Sequence, residues 1–169
     1  MTFEETVARL QEKFGDAVEG ADERDAGRPG LLLGVYVRPE AVVDVCRYLH
    51  DTPELAFEQL SCITGTDFQD HIQLAYVMMS YAHREVMAVK VKLDRDEPSV
   101  HTVEGIWATA NWHEREVYDL LGVYFEGHSD LRRLLMPDDW VGHPLRKDYK
   151  EEPDYHGIPT TRDKALGKY

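Results

Sequence analysis

Residues 57–93 read FEQLSCITGTDFQDHIQLAYVMMSYAHREVMAVKVKL, and this stretch decides the fold. It holds three β-like runs. Phe57–Thr64 is the first, and Gly65–Asp70 supplies turn residues after it. Ile72–Tyr81 is the second, with Ala82–Arg84 short enough for a hairpin turn. Glu85–Leu93 alternates imperfectly through Val86, Ala88, Val89, Val91 and Leu93, which suits a strand with one wet face. Strands joined by such short turns pair antiparallel.

Upstream, Phe3, Val7, Leu10 and Phe14 are spaced by three or four, and Thr2 with Glu5 forms a capping-box pattern. This predicts a helix ended by Gly15. A short strand follows at Ala17–Glu19, then a loop over residues 20–30 (GADERDAGRPG) and a strand at Leu31–Val37. Pro39 starts a second helix that runs to about His50, with Val42, Val43, Cys46 and Leu49 inward, until Thr52-Pro53 breaks it. The order α-β-β-α-β-β-β predicts an α+β fold over residues 1–100, a two-layer sandwich with a mostly antiparallel sheet.

Beyond Pro98 the character changes. Residues 102–121 can be drawn as one helix, with a break near Ala108–Asn111; residues 101–122 form the second segment and Gly122 its C-cap. Residues 123–169 are dense in Gly and Pro and read as an extended tail. That tail nevertheless carries Tyr124, Phe125, Leu131, Leu134, Leu135, Met136, Trp140, Leu145 and Tyr149. A long structureless segment is hard to place inside a compact domain, so wrapping around a partner protein is the expected source of burial.

Composition narrows the function. The chain has 169 residues, is 43% hydrophobic and 30% charged, and carries a net charge of −13. Nucleic acid and anionic membrane surfaces are therefore poor partners. The two cysteines, Cys46 and Cys62, form no CxxC pair and are too few for an iron–sulfur cluster; both read as buried thiols. The opening MTFEETVARLQEKF has no signal-peptide apolar core, and no apolar run approaches the roughly 18 residues of a membrane span.

Three constellations stand out. In the run Glu114–Leu120, Arg115 and Asp119 are four apart and are expected to pair on the exposed helix face, for about 0.2–0.5 kcal/mol. Glu114 falls beside Val117 and Leu121, so its carboxylate needs a partner, with Arg132, Arg133 or Arg146 as candidates. No nucleophile or second carboxylate comes with it, so a structural ion pair is the reading and acid–base catalysis is not. In Gly127–Arg133, Gly127 supplies positive φ, Asp130 an Asx-type turn, and the paired arginines a grip on carboxylates. In Asp138–Tyr149, Trp140, Arg146 and Tyr149 are residue types that dominate interfaces. No pair of potential ligands there has zinc-site spacing, although His113, His128 and His143 lie within reach of one another along the chain. Neither a phosphate-binding glycine motif nor a nucleophile elbow is present.

The run NWHEREVYDLLGVYFEGHSDLRRLLMPDDW, followed by GHPLRKDY, resembles the signature of the 30-kilodalton subunit family of proton-pumping NADH:quinone oxidoreductase, respiratory complex I. Ser129 stands where the family usually has proline, a change expected to loosen one turn; Leu121 and Val123 are apolar swaps. The resemblance implies a non-catalytic subunit in the peripheral arm, on the cytoplasmic face of the membrane and with no span of its own. It implies no cofactor in this chain, with NADH, FMN, iron–sulfur clusters and quinone held by other subunits. The implied partners are the hydrogenase-like large subunit and the terminal-cluster subunit of the same complex. The residues it marks as structural or interfacial are Glu114, Arg115, Glu116, Tyr118, Asp119 and Gly122 in the first block. They continue with Gly127, His128, Asp130, Arg132 and Arg133, then Trp140, Pro144, Leu145, Arg146, Lys147, Asp148 and Tyr149. On this reading Glu114 and Glu116 are expected to accept arginines, Arg132, Arg133 and Arg146 to fix the tail, and Trp140 to fill a pocket on the partner. Related subunits of membrane-bound hydrogenases, formate hydrogenlyases and deazaflavin-dependent dehydrogenases are the alternative; a stand-alone enzyme and an assembly chaperone are competing classes.

Overall fold

The computed structural model describes residues 2–22 and 33–160. Most of the predicted loop, the start of the Leu31–Val37 strand and the last nine residues of the tail lie outside the described residues. Helix α1 (Phe3–Phe14) begins at the predicted capping box, with Thr2 N–H donating to Glu5 and Glu5 N–H to Thr2. Strands β1 (Val18–Ala21) and β2 (Gly34–Val37) follow, then a single 3-10 turn at Pro39–Ala41 and helix α2 (Val42–Asp51). Strands β3 (Gln59–Asp67), β4 (His71–Ser80) and β5 (Glu85–Asp94) complete a five-stranded sheet of order β1-β2-β5-β4-β3. The β2–β5 pair is parallel and the other pairs are antiparallel.

The core lies between this sheet and the helices. On β4 the alternation is strict: Ile72, Leu74, Tyr76 and Met78 are sealed, opposite Leu93, Val91, Val89 and Met87 of β5. Val7 and Leu10 of α1 and Val42, Val45, Cys46 and Leu49 of α2 close over them. Period two on the strands and period 3.6 on the helices thus converge on one apolar layer.

Strand β1 runs to Ala21 where the loop was expected from Gly20, and β3 begins at Gln59 rather than Phe57; two further differences bear on the site. Gly65 is not part of a turn, because β3 runs on to Asp67 and the turn is confined to the residues after it. The glycine is needed for close approach: a Cβ at Gly65 would lie 2.3 Å from Leu121 Cδ1 of the helix above. Likewise residues 102–109 are not helical. Strand β6 (Ser99–His101) leads into a turn that buries Val103 and Trp107, and helix α3 starts at Ala110, running to Leu121. Trp107 donates its indole N–H to Phe57 O at 3.2 Å, which fixes that turn on the sheet domain. Strand β7 (Tyr124–Glu126) then pairs in parallel with β6. It carries Phe125 into the core beside Val123, so these two side chains do not wait for a partner. A last hairpin, β8 (Asp154–Tyr155) and β9 (Ile158–Pro159), ends the described chain.

Candidate functional site

Helix α3 is the spindle around which residues 127–149 are wound, and the windings are polar. Asp119 is wholly buried and its carboxylate is the hub. Oδ2 accepts the backbone N–H groups of Leu134, Leu135 and Met136 at 3.0, 2.7 and 2.8 Å, and Oδ1 accepts Arg133 Nη1 at 2.7 Å. Burial works to raise this carboxyl, but those donors outweigh it and hold it below the usual carboxylate range. Arg133 in turn donates to Trp140 O at 2.9 Å and Gly142 O at 3.1 Å. Arg115 lies over the Trp112 ring and donates to Arg132 O and Arg133 O, each at 3.2 Å.

The expected Arg115–Asp119 surface pair is therefore corrected. Both residues are buried, and each faces the tail rather than the other. Four residues is the right spacing for a helical pair, but three converging N–H groups and a guanidinium present Asp119 with a better shell than one neighbouring arginine does.

The end of α3 is capped by the same segment. His143 Nδ1–H donates to Asp119 O at 2.9 Å, Leu145 N–H to Leu120 O at 3.0 Å, and Arg146 Nε–H to Leu121 O at 2.7 Å. Carbonyls that a helix C-terminus leaves without partners are thereby satisfied. Gly122 holds the left-handed cap at φ 76°, and a Cβ there would sit 2.6 Å from the His143 ring.

Glu114 departs from expectation as well. It is fully buried, but no arginine reaches it. Its carboxylate accepts Val103 N–H at 2.8 Å and the Thr102 hydroxyl, with His128 Nε2 at 3.9 Å. Burial pushes Glu114 up to about 7, and the two hydrogen bonds only partly offset that. The sequence missed this because the acceptor's partners are a backbone amide and a hydroxyl twelve residues upstream. The His128 ring is buried, Nε2–H donating to Asn111 O at 3.1 Å while Nδ1 accepts Asp130 N–H at 3.0 Å. This pairing selects the Nε2–H tautomer.

Ser129 does not loosen its turn. Its N–H and its hydroxyl donate to Glu104 at 2.7 and 3.1 Å, and Asn111 adds a third bond at 2.7 Å. A proline there has no N–H to give. Gly127 holds positive φ as expected, but Asp130 forms no Asx turn: it grips Arg132 Nε at 2.9 Å, leaving that guanidinium at the surface.

A second clamp joins tail to sheet. Asp67, nearly buried at the end of β3, takes Arg95 in bidentate fashion at 3.0 and 2.9 Å and also accepts Lys147 N–H at 2.9 Å. Arg95 extends to Asp148 at 2.7 Å. The arginine beside Asp67 holds its carboxyl well below the usual range. Sequence reasoning placed Asp67 in a turn and overlooked Arg95; the available signal was that Asp67 falls on the same period-two face as Ile63 and Gly65.

The remaining marked residues lie outward. Glu116 is exposed and lines a groove with Cys62 and Leu145, so Cys62 is half-exposed and not buried as expected. Tyr118 packs at the core margin, and Pro144 is half-buried. Trp140 donates its indole N–H to Tyr149 Oη at 3.0 Å and rests against Tyr155. Leu135, Val141 and Leu145 are 59, 66 and 57% exposed. Among the described residues no group of three His, Cys, Asp or Glu could hold a metal ion, and no helix is long and apolar enough to cross a membrane. His113, His128 and His143 do not converge: they line the Cys62 groove, the Asn111 carbonyl and the helix C-cap respectively.

Comparison with known proteins gives one consistent result. The family model described as the 30 Kd subunit of respiratory-chain NADH dehydrogenase matches residues 35–155. An NADH-quinone oxidoreductase subunit from Chlorobium phaeobacteroides is 42% identical over 154 residues, covering 88% of this chain and 89% of that protein. Among solved structures, a trypsin-resistant fragment (1–134) of Nqo5 is 26% identical with TM-score 0.59, covering 75% of this chain and 99% of the fragment. A chain of an archaeal respiratory membrane complex, the membrane-bound sulfane sulfur reductase, is 27% identical with TM-score 0.71, covering 87% of this chain and 85% of that one.

Proposed function

This chain belongs to the family of the 30 Kd subunit of respiratory-chain NADH dehydrogenase, and from that premise we propose that it is a non-catalytic scaffold of the peripheral arm of a proton-translocating NADH:quinone oxidoreductase. Its tail packs on the hydrogenase-like large subunit, near the one that carries the terminal cluster. The complex sits at the cytoplasmic face of the membrane and carries NADH, FMN, iron–sulfur clusters and quinone on other chains. One observation carries this reading: Leu135, Val141 and Leu145 stand exposed on a segment whose backbone is fixed from behind by Asp119, Arg133 and the end of α3. Large apolar side chains exposed on a fixed frame are what a docking surface requires.

The experiment is co-purification from cells with mass spectrometry of the bound subunits. Leu135→Asp with Leu145→Asp should remove the large subunit from the eluate while the variant chain stays folded. Stoichiometric recovery of the large subunit with that variant overturns the proposal. A second reading follows from the likeness to the sulfane sulfur reductase complex: the chain fills the equivalent place in another membrane-bound respiratory complex, such as a hydrogenase, formate hydrogenlyase or deazaflavin-dependent dehydrogenase. An NADH-binding flavoprotein among the co-purified subunits decides for the first.

A further inference from the structure

The tail folds back at its end to line a half-open cavity of about 240 Å³, whose walls are mainly rings and carboxylates, with Val141, Thr160 and the Asp139-bound His156 completing them. Trp140 and Tyr155 lean together with centroids 5.3 Å apart at 45°, and the Tyr149 ring is set by the bond between its hydroxyl and the Trp140 indole. Asp139, Glu152 and Asp154 supply the charge. Asp139 accepts the Tyr155 hydroxyl at 2.8 Å and His156 Nε2 at 2.7 Å, so one carboxylate both orients the aromatic wall and stays anionic. Among the described residues no lysine or arginine lines the cavity.

From this arrangement we propose that the cavity is a receptor for a guanidinium group, an arginine side chain presented by a partner protein. That the arginine belongs to a partner rests on the docking reading above; that the cavity takes a guanidinium does not. Ring faces carry negative quadrupole density and attract a cation laid over them. An anion is repelled by the three carboxylates, and an apolar guest would strip them of water without compensation. Between the two side-chain cations, a planar guanidinium stacks on the Trp140 face and still has N–H groups for more than one carboxylate, whereas an ammonium is a compact, strongly hydrated charge. The net charge of −13 steers such a basic partner segment inward.

The test uses the full chain labelled with 5-fluorotryptophan. Its three tryptophans give three fluorine resonances, and Trp140→Phe assigns the one in the cavity. The probes are N-acetyl-arginine amide, its neutral isostere N-acetyl-citrulline amide, and N-acetyl-lysine amide. The arginine probe should shift the Trp140 resonance saturably and bind roughly five- to thirtyfold more tightly than citrulline, with lysine between them. Asp139→Asn with Glu152→Gln should abolish that preference and leave the Trp107 and Trp112 resonances in place. No saturable shift, equal binding of citrulline, or a preference that survives the double substitution overturns the proposal. Binding that appears only in Arg162→Ala overturns it too, because the chain's own arginine is then the occupant. The outcome is separable from that of co-purification: a saturable arginine response with no large subunit recovered sinks the docking reading and keeps the guanidinium site.

Discussion

Along β4, Ile72, Leu74, Tyr76 and Met78 have no contact with solvent, and the strand is held because its apolar face is sealed by β5 and the helices. Along residues 127–149 the large apolar side chains include three that are more than half exposed, yet the backbone is held at Leu134, Leu135, Met136, Trp140, Gly142, Leu145 and Lys147 by named polar bonds. The sheet domain is ordered by what it hides. The tail is ordered by saturating the carboxylates and carbonyls at α3 and the end of β3, which leaves its own leucines free to face outward. Apolar burial and structural order are thus separable within a single chain, and each can be attacked without the other.

The largest effect is expected at Asp119. Asp119→Ala leaves three backbone N–H groups and a guanidinium without their acceptor, and should cost about 3–5 kcal/mol by denaturant unfolding. Hydrogen exchange should rise first at residues 134–136, while β4 and β5 keep their protection. Uniform loss of protection would mean that the two regions fold as one unit and the contrast drawn above fails.

Next comes Glu114. Its carboxyl is raised to about 7 from an ordinary 4.5, so the folded state binds a proton that the unfolded state has released. Stability should therefore fall as pH rises through that window, by on the order of 3 kcal/mol in all. Glu114→Gln should flatten this slope in urea midpoints measured across the window; an unchanged slope assigns it to another group. The groups that face Glu114 are Glu104, His128, Tyr76 and Cys46, so Glu104→Gln is the proper companion variant.

Smaller effects follow. Gly122→Ala must adopt a left-handed conformation and displace the His143 ring, for about 1–3 kcal/mol by the same unfolding measurement. Leu135→Ser with Val141→Ser should change the stability of the isolated chain by no more than about 0.5 kcal/mol, while lowering recovery of the large subunit in the co-purification. The arginines divide along the same line. The Arg133 guanidinium is built into the Asp119 clamp, whereas that of Arg132 pairs with Asp130 at the surface, so Arg133→Ala should destabilise the chain and Arg132→Ala should not.

The element order and the mostly antiparallel sheet were legible because period-two and period-3.6 patterns report which face is dry, and β3 to β5 are joined by short turns. Gly65 was misread because composition alone cannot tell a glycine that turns the chain from one that admits a helix. The clamps were legible in their members and not in their pairings: Glu114, Arg115, Asp119, Arg133 and Arg146 were all singled out, yet most of their partners are backbone amides and carbonyls, which every residue carries and no motif marks. The pairing of Asp67 with Arg95 is not legible because twenty-eight residues separate them, and only the strand pairing closes that gap.

The capping of α3 by His143, Leu145 and Arg146 bears on the timing of assembly. A loop that met its neighbour while still fluctuating would surrender its freedom at the moment of contact and weaken the union accordingly. Here that freedom is lost when the chain itself folds, once the last turn of the helix exists to receive the loop. On the docking proposal, the exposed Leu135, Val141 and Leu145 then reach the neighbour already placed, and the affinity of the encounter depends on fit and not on induced ordering.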